Sequence, residues 1–226
     1  MTRDRRWPGF FVTLDGPGGV GKSTAIAGLT IELAEYCIPV QQTAEPSRGA
    51  IGQLARHGTH EFSGRALACL VAADRYHHLD TELRPALTAG RLVLCDRYVA
   101  TSWVLQRRDG VPVDFIDAIN RAADAPDLAV ILTAKPATIR ARLRARGVSS
   151  GRFEDNDGTE LDLSYYADAA DRLAGRGVDV LTVDVDAHRP CDTVRVISTA
   201  IRDRWASLDQ PAPQLAPTDY QQGATA

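Results

Sequence analysis

The chain has 226 residues, of which 44% are hydrophobic and 24% charged, and its formal net charge at pH 7 is −3. This size and composition suit one soluble α/β domain with a substantial core, and no apolar run approaches the length of a transmembrane helix. The small negative charge argues against a general nucleic-acid-binding protein, so small molecules are the expected partners.

The first eight residues predict a flexible amino terminus. They are basic, but no apolar stretch of the kind found in signal peptides follows them, which favours a cytoplasmic location. Residues 10–15 form an apolar, β-rich segment that predicts a buried strand. Residues 22–36 carry apolar side chains at helical spacing and predict a helix.

The loop between this strand and this helix matches G-x-x-x-x-G-K-[ST], the pattern of a phosphate-binding P-loop. Its glycines let backbone N–H groups turn toward an anion, and the helix amino terminus adds its positive dipole end. Lys22 is expected to reach the β- and γ-phosphates of a nucleotide, and the Ser23 hydroxyl to ligate Mg²⁺. The alternative is a chance match, but the chain contains only two lysines, and the flanking strand and helix favour function. The predicted ATP-binding residues of the loop are Gly16, Gly18, Gly19, Val20, Gly21, Lys22, Ser23 and Thr24.

The rest of the chain alternates strands and helices. Pro85 predicts a kink or a break in the longest helix. Residues 147–158 predict a short mobile lid and residues 208–226 a disordered tail, which leaves a single domain over residues 9–207. Further strands are predicted at residues 38–43, 92–95, 128–133 and 178–183, and further helices at residues 51–56, 62–87, 114–123, 136–146, 161–175 and 191–205.

This alternation predicts a P-loop fold of the α/β class, with three layers (α/β/α) and a five-stranded parallel sheet. Ligands of such sheets bind at the carboxyl ends of the strands. The P-loop, Glu45-Pro46, Asp96-Arg97 and Thr133 all lie at predicted strand ends. We therefore expect them to converge on one site.

Phosphoryl transfer needs positive groups around the moving phosphoryl group and a metal ion held by oxygen ligands. Asp96 ends a buried strand, where its carboxylate together with Ser23 is expected to hold Mg²⁺; the alternative is a helix N-cap. Arg97 is a candidate for contact with the transferred group or with an acceptor phosphate. Arg48 and Arg75 are candidates for a bidentate phosphate clamp, against the alternative of solvent-facing arginines.

Several arginines flank the predicted lid. A lid that closes with arginines excludes water and stabilises transition-state charge, whereas the alternative is a solvated basic helix face. The candidates are Arg142, Arg144, Arg146 and Arg152, of which Arg142 and Arg146 are predicted to bind ATP and Arg152 to join Lys22, Asp96 and Arg97 in catalysis.

From about residue 10 to residue 201 the chain resembles the thymidylate kinases, a family of P-loop nucleoside-monophosphate kinases. The pairing of an A-D-R segment with a D-R-Y segment at this spacing is more specific than the P-loop. Besides the P-loop, the segments that carry the resemblance are Glu45-Pro46 with Arg48 and Ile51-Gly52, Ala73-Asp74-Arg75-Tyr76, Asp96-Arg97-Tyr98 with Ser102, Arg152-Phe153-Glu154 and Val185-Asp186-Ala187.

The resemblance implies ATP as phosphate donor, Mg²⁺ as cofactor and a deoxynucleoside monophosphate, with dTMP the leading candidate, as acceptor. It also implies a homodimer formed through helices that include residues 62–87. It places three arginines around the acceptor phosphate. The acceptor-binding residues that it implies are Glu45, Arg48, Val71, Arg75, Arg97 and Ser102.

Four positions depart from the family's pattern. Glycine occupies position 18, where many members carry a carboxylate near the acceptor sugar, and Val71 stands where the family usually stacks the base on an aromatic ring. Ala44 and Gly151 replace an arginine and an aspartate that are often present. Base–aromatic stacking contributes about 1–3 kcal/mol, and Val71 cannot supply it to thymine. An acceptor other than dTMP is therefore an alternative. Two further alternatives are a kinase for an unphosphorylated nucleoside, with Glu45 as general base, and a nucleotide-binding switch without turnover.

Overall fold

The computed structural model describes residues 7–146 and 158–208. Outside these ranges lie most of the predicted flexible amino terminus, nearly all of the predicted lid with Arg152, Phe153 and Glu154, and nearly all of the predicted tail. The division of the chain into one domain with a lid and two flexible ends stays a prediction.

Five parallel strands form one sheet with the spatial order β2-β3-β1-β4-β5. The three central strands are buried along almost their whole length, because helices cover both of their faces. β2 and β5 are the half-exposed edge strands. The strands are β1 (Phe10–Asp15), β2 (Val40–Ala44), β3 (Leu92–Asp96), β4 (Leu128–Thr133) and β5 (Asp179–Asp184). The predicted α/β fold with a five-stranded parallel sheet is confirmed.

Two apolar cores lie on opposite faces of the sheet. One joins the sheet to α1, α7 and α9, and the other joins it to α3, α4, α5 and α8. The helices are α1 (Lys22–Glu35), α2 (Ala50–His57), α3 (Gly64–His78), α4 (Arg84–Thr88), α5 (Val99–Arg108), α6 (Val113–Asn120), α7 (Pro136–Arg146), α8 (Thr159–Gly175) and α9 (Pro190–Ala206). These two cores give the three layers expected from the sequence. In the part of the chain that is described, no helix is long and apolar enough to cross a bilayer.

Two helical segments differ from the prediction. α5 was not predicted, because three of its buried residues are polar and break the apolar pattern that marks a helix. The segment from α3 to α4 is not broken at Pro85. A π-helical turn, Leu79–Leu83, links α3 to α4, and Pro85 lies in the first turn of α4, where a missing N–H is tolerated.

The order in which the chain adds strands to the sheet reverses at β1. From β1 the chain moves outward to β2 and returns to β3, and then it crosses to β4 and β5 on the other side. Ligands of open parallel sheets bind outside the strand ends at such a switch point. The P-loop, which follows β1 directly, therefore occupies the position in the fold where a bound ligand is expected.

Candidate active site

The P-loop has a backbone that only glycine permits at two key positions. Gly16 has φ +146°, and a Cβ added there would lie 2.6 Å from the carbonyl oxygen of Leu132. Gly21 has φ +110° at the amino terminus of α1. The Lys22 ammonium folds over the loop and donates hydrogen bonds to the carbonyl oxygens of Gly16 (2.8 Å) and Pro17 (3.0 Å). The loop is therefore a compact cationic turn at the head of a helix.

One cavity opens on the α9 side of the P-loop. The sequence-predicted residues that line it are Gly19, Val20, Gly21, Thr24, Arg142 and Arg146, and the residues it missed are Ala25, Leu132, Val185, His188, Pro190 and Thr193. Arg142 donates a hydrogen bond to the carbonyl oxygen of Val20 (3.0 Å), which ties α7 to the loop. The Thr193 hydroxyl is buried and has no hydrogen-bond partner among the described residues. We call this the donor-side cavity.

Asp96 and Ser23 meet beside the P-loop. The Ser23 hydroxyl donates to Oδ2 of Asp96 at 3.4 Å, and Oδ1 of Asp96 is buried with no hydrogen-bond partner within residues 7–146 and 158–208. The alternative role of Asp96 as an N-cap is not met, because Tyr98 is the N-cap of α5 and no side chain caps that helix. The described residues contain no cluster of three or more metal-binding side chains. A hydroxyl with one carboxylate suits Mg²⁺, which usually takes its remaining ligands from substrate phosphates and water.

A second cavity, with a more apolar lining, opens on the α5 side of the P-loop, and we call it the acceptor-side cavity. Its apolar lining comes from residues such as Leu67, Val71 and Leu105. Arg48 does not line it and is exposed, whereas Arg56, which the sequence analysis missed, does line it. The cavity brings together the predicted residues Gly18, Glu45, Val71, Arg75, Arg97 and Ser102.

Arg75 lines this cavity, but its guanidinium is bonded to other side chains, whereas the sequence predicted that it would clamp a phosphate. The guanidinium is buried and donates to Glu45 (2.7 Å), to Ser102 (3.0 Å) and to the side-chain oxygen of Asn120. It also lies 5.1 Å from the centre of the Tyr98 ring. Burial lowers the pKa of Arg75, but the Glu45 carboxylate outweighs this effect and the net pKa is raised. The side chain is thus held by protein partners on three sides as a fixed cation.

Arg97 lies at the end of the cavity nearest the P-loop, in a left-handed backbone conformation with φ +71°. This conformation is costly for a residue with a side chain, and such strain is concentrated at functional sites. The Arg97 N–H donates to the carbonyl oxygen of Leu14, which places the residue directly beside β1. Arg97 therefore lines the acceptor-side cavity in a backbone conformation that carries a cost in conformational energy.

The carboxylate of Asp15 joins α5 to the start of the P-loop. Its Oδ1 accepts hydrogen bonds from the N–H groups of Tyr98 and Thr101 (3.0 Å each) and from the Thr101 hydroxyl (2.7 Å). Burial raises the pKa of Asp15, and burial also raises the pKa of Tyr166, whose hydroxyl contacts Thr101, to about 12. Thr101 directly precedes Ser102, which was predicted from the sequence, but Thr101 itself was not predicted.

Sequence reasoning also missed polar residues deeper in the acceptor-side cavity. Gln106 lies one helical turn after Ser102 on α5, and its buried Oε1 has no hydrogen-bond partner in the described chain. Asp162 on α8 lines the same cavity and forms a buried ion pair with Arg108 (3.1 Å). The unused acceptor on Gln106 is a position at which a bound molecule can donate a hydrogen bond.

Comparison with known proteins agrees with this geometry. The thymidylate kinase family model matches residues 14–190. A thymidylate kinase from Xanthomonas oryzae pv. oryzae is 32% identical over 219 residues, which cover 94% of this chain and 93% of the relative. A thymidylate kinase from Xanthomonas euvesicatoria pv. vesicatoria is 33% identical over 211 residues, which cover 90% of each chain. A probable thymidylate kinase from Caldivirga maquilingensis is 37% identical over 206 residues, which cover 89% of this chain and 94% of the relative.

The match spans both sides of the P-loop, since it runs from the end of β1 to the start of α9. It therefore includes every described residue that lines the acceptor-side cavity and most of those that line the donor-side cavity. The chain is a phosphotransferase and belongs to the thymidylate kinase family.

Proposed function

We propose that the protein transfers the γ-phosphoryl group of ATP to the phosphate of a deoxynucleoside monophosphate, with dTMP as the leading acceptor. The observation that carries this proposal is the pair of cavities that share the P-loop. Gly19 to Gly21 line one cavity and Pro17-Gly18 line the other. Two phosphorylated ligands bound in these cavities meet across five loop residues, 17–21, which is the arrangement that in-line phosphoryl transfer requires.

On the donor side, backbone N–H groups of the loop and the amino terminus of α1 bind the triphosphate. Lys22 moves its ammonium from the carbonyl oxygens of Gly16 and Pro17 to the phosphates when these are present. Arg142 and Arg146 flank the same cavity and add positive charge on the α7 side. Arg152 lies outside the described residues, and its predicted catalytic role remains a proposal.

Ser23 and Asp96 are the residues that would hold Mg²⁺, and the unpaired Oδ1 of Asp96 supports this assignment. When bound, Mg²⁺ supplies positive charge that offsets the charge of the donor phosphates. Asp96 also receives support from the backbone, because its carbonyl oxygen accepts the Glu45 N–H at 2.9 Å. The end of β3 is thereby held beside the acceptor-side cavity.

On the acceptor side, Arg97 lines the cavity and its backbone N–H bonds to Leu14 of β1, the strand that leads into the P-loop, and we assign its guanidinium to the acceptor phosphate. The base then lies among Leu67, Val71 and Leu105, with the buried Oε1 of Gln106 available to accept a hydrogen bond from the base. An apolar pocket with few, well-placed polar groups is typical of sites for small ligands.

A kinase for an unphosphorylated nucleoside would need a general base near the acceptor hydroxyl. Glu45 is the candidate, but one of its oxygens accepts from Arg75 and the other is 3.3 Å from Nδ1 of His78. Both carboxylate oxygens are thus already engaged by protein partners, which leaves Glu45 poorly placed to take a substrate proton. The geometry of Glu45 therefore favours an acceptor that already carries phosphate.

The test is a coupled ADP-release assay with ATP and a panel of acceptors. The panel contains thymidine, deoxyuridine and deoxycytidine beside dTMP, dUMP, dCMP, dGMP and dAMP. The proposal expects turnover on monophosphates, with dTMP the best of them, and none on the free nucleosides. Turnover confined to unphosphorylated nucleosides would overturn it. GTP and CTP in place of ATP test the choice of donor in the same assay.

Family membership is also the support for a homodimer and for a cytoplasmic location, and both stay proposals. Sedimentation equilibrium of the full chain tests the first, and cell fractionation with an antibody against the chain tests the second.

A further inference from the structure

His78, the last residue of α3, is a buried histidine directly behind the acceptor-side cavity. Only 1% of its side chain is exposed, and both ring nitrogens have partners. Nδ1 lies 3.3 Å from Oε1 of Glu45, while Nε2 lies 2.6 Å from the Thr43 hydroxyl and 3.4 Å from the Glu82 carboxylate. His78 does not line the cavity itself, whereas Glu45 does. The imidazole can therefore act on a bound acceptor only through Glu45.

The chemistry of these partners assigns the protons on one side of the ring. A carboxylate can only accept hydrogen bonds, so Nδ1 must carry the proton that is shared with Glu45. Nε2 can accept from the Thr43 hydroxyl, or it can donate when the ring is protonated. The link from His78 to Glu45 is thus the same in both charge states of the ring.

The orientation of the Glu45 carboxylate in turn fixes the position of Arg75. His78 takes Oε1 of the carboxylate, and Oε2 is left to accept from Nε of Arg75 at 2.7 Å. Arg75 in turn lines the cavity and reaches Ser102 on α5. Without His78, the carboxylate could rotate and satisfy Oε1 elsewhere, and the guanidinium would lose its fixed orientation. Two consecutive contacts, from His78 to Glu45 and from Glu45 to Arg75, therefore connect the imidazole to the guanidinium in the cavity wall.

Charged and titratable groups face His78 from each element packed around it. Glu45 approaches from the β2–α2 loop, Glu82 from the π-helical turn, and Arg75 from the preceding turn of α3. The buried thiol of Cys95 on β3 lies near Glu45 and Arg75, and burial, followed by the charge of Glu45, raises the pKa of Cys95 well above its usual value. Among these groups, Glu45 is the one that lines the acceptor-side cavity and also contacts His78.

We propose that His78 is a positioning residue for the acceptor: its Nδ1–H fixes the Glu45 carboxylate, and Glu45 fixes Arg75 in the cavity wall. This inference rests on the proposed function. It assigns His78 an effect on acceptor binding and none on donor binding. A purely structural histidine would instead lower the stability of the fold without distinguishing the two substrates.

Two substitutions distinguish the Nδ1 contact with Glu45 from the Nε2 contact with Thr43. The side-chain amide of His78→Asn places its nitrogen near the position of Nδ1, so it keeps a donor toward Glu45. The longer His78→Gln places its amide near the position of Nε2, so it keeps a partner for Thr43 and loses the donor toward Glu45. We expect the acceptor KM to stay within about threefold of the parent value in His78→Asn and to rise about tenfold or more in His78→Gln. The KM for ATP is expected to change less than about twofold in both variants.

The experiment measures kcat and both KM values on the full chain, with the best acceptor from the panel described above. His77→Gln is the matched control, because His77 is an exposed neighbour on the same helix, and it is expected to match the parent. Circular dichroism melts check that each variant is folded; if His78→Gln does not fold, His78→Ala replaces it, with the same expected rise in KM. Equal acceptor KM values in the Asn variant and the Gln or Ala variant would overturn the proposal, and so would a parallel rise in the KM for ATP.

The acceptor that the parent enzyme phosphorylates shows whether a negative result counts against this inference or against the proposed function. If the parent phosphorylates only an unphosphorylated acceptor, the proposed function fails, but the ratio of KM values between His78→Asn and His78→Gln still tests the positioning role with that acceptor. If the parent uses dTMP and the two variants do not differ, the positioning role fails alone.

Discussion

The two sides of the P-loop are built in different ways. The proposed donor side is built on one segment of eight consecutive residues, 16–23, together with arginines that extend from α7. The acceptor side is assembled from the β2–α2 loop, α2, α3, α5 and α8, and Glu45, Arg75 and Ser102 in its wall are buried and bonded to one another. One short sequence motif is therefore enough to predict a phosphate-binding site, whereas the choice of acceptor depends on contacts between residues far apart in sequence.

The difference also predicts how each side responds to mutation. A buried polar network fails as a unit, because removing one member leaves the others unsatisfied. A loop that binds through main-chain N–H groups is sensitive mainly to changes at its glycines and at its single lysine. Substitutions on the donor side should therefore affect every acceptor equally, and those on the acceptor side should discriminate among acceptors.

The largest effect is expected for Lys22→Ala. The loss of the ammonium that folds over the loop should lower kcat at least about 1,000-fold with every acceptor in the panel. Lys135→Ala is the control, because Lys135 is the chain's other lysine and is exposed. Turnover by Lys22→Ala that depends on the acceptor would break the separation between the two sides.

Arg97→Gly is expected to have the next largest effect, a fall of about 100-fold in kcat/KM for the acceptor, because the guanidinium that meets the acceptor phosphate is lost. Glycine adopts φ +71° without the penalty that a side chain imposes, so the variant should be as stable as the parent or about 1 kcal/mol more stable. Steady-state kinetics and urea unfolding measure the two quantities. A variant that is inactive and also much less stable would contradict the interpretation that the strained backbone of Arg97 serves function and not stability.

The contrast between the two sides also explains what could be predicted from the sequence. The P-loop, β1, β3 and β4 are local patterns of glycine and apolar residues, and their positions agree with the structure to within a residue. α5 escaped prediction because Thr101, Ser102 and Gln106 are buried for the sake of the site and mask the helix's apolar face.

Arg48 and Arg75 show the same limit within the site. Both arginines belong to segments that carry the family resemblance, but sequence spacing does not tell which guanidinium turns inward. The structure leaves Arg48 exposed and buries Arg75 against Glu45, because a carboxylate and two amide or hydroxyl oxygens surround only Arg75. Such outcomes depend on long-range packing, which a motif does not contain.

A smaller effect is expected for Val71→Phe. Val71 lines the acceptor-side cavity, and an aromatic ring there can stack on the base, which contributes about 1–3 kcal/mol. If thymine is the base, the KM for dTMP should fall about fivefold while the KM for ATP stays unchanged. An unchanged or raised KM for dTMP would argue that the base lies elsewhere in the cavity.

The smallest effect is expected for Asp15→Asn, and it concerns stability. Because the folded-state pKa of Asp15 is raised above its ordinary 3.8, its favourable contribution is complete below pH 4 and is lost as the pH rises through the folded-state pKa. Asparagine keeps an acceptor for Tyr98 and Thr101 and stays neutral. The stability of the variant relative to the parent should therefore rise as the pH is raised from about 4 in urea unfolding, and a difference that is constant with pH would contradict this account.

The most direct test of the two-sided site is a crystal structure of the full chain with a bisubstrate analogue in which adenosine and deoxythymidine are joined through a chain of phosphates. The account predicts that the phosphates follow the backbone of residues 16–23, with adenosine in the donor-side cavity and the thymine ring beside Val71 and Gln106. A structure in which the loop is empty, or in which the deoxythymidine lies outside the acceptor-side cavity, would contradict it.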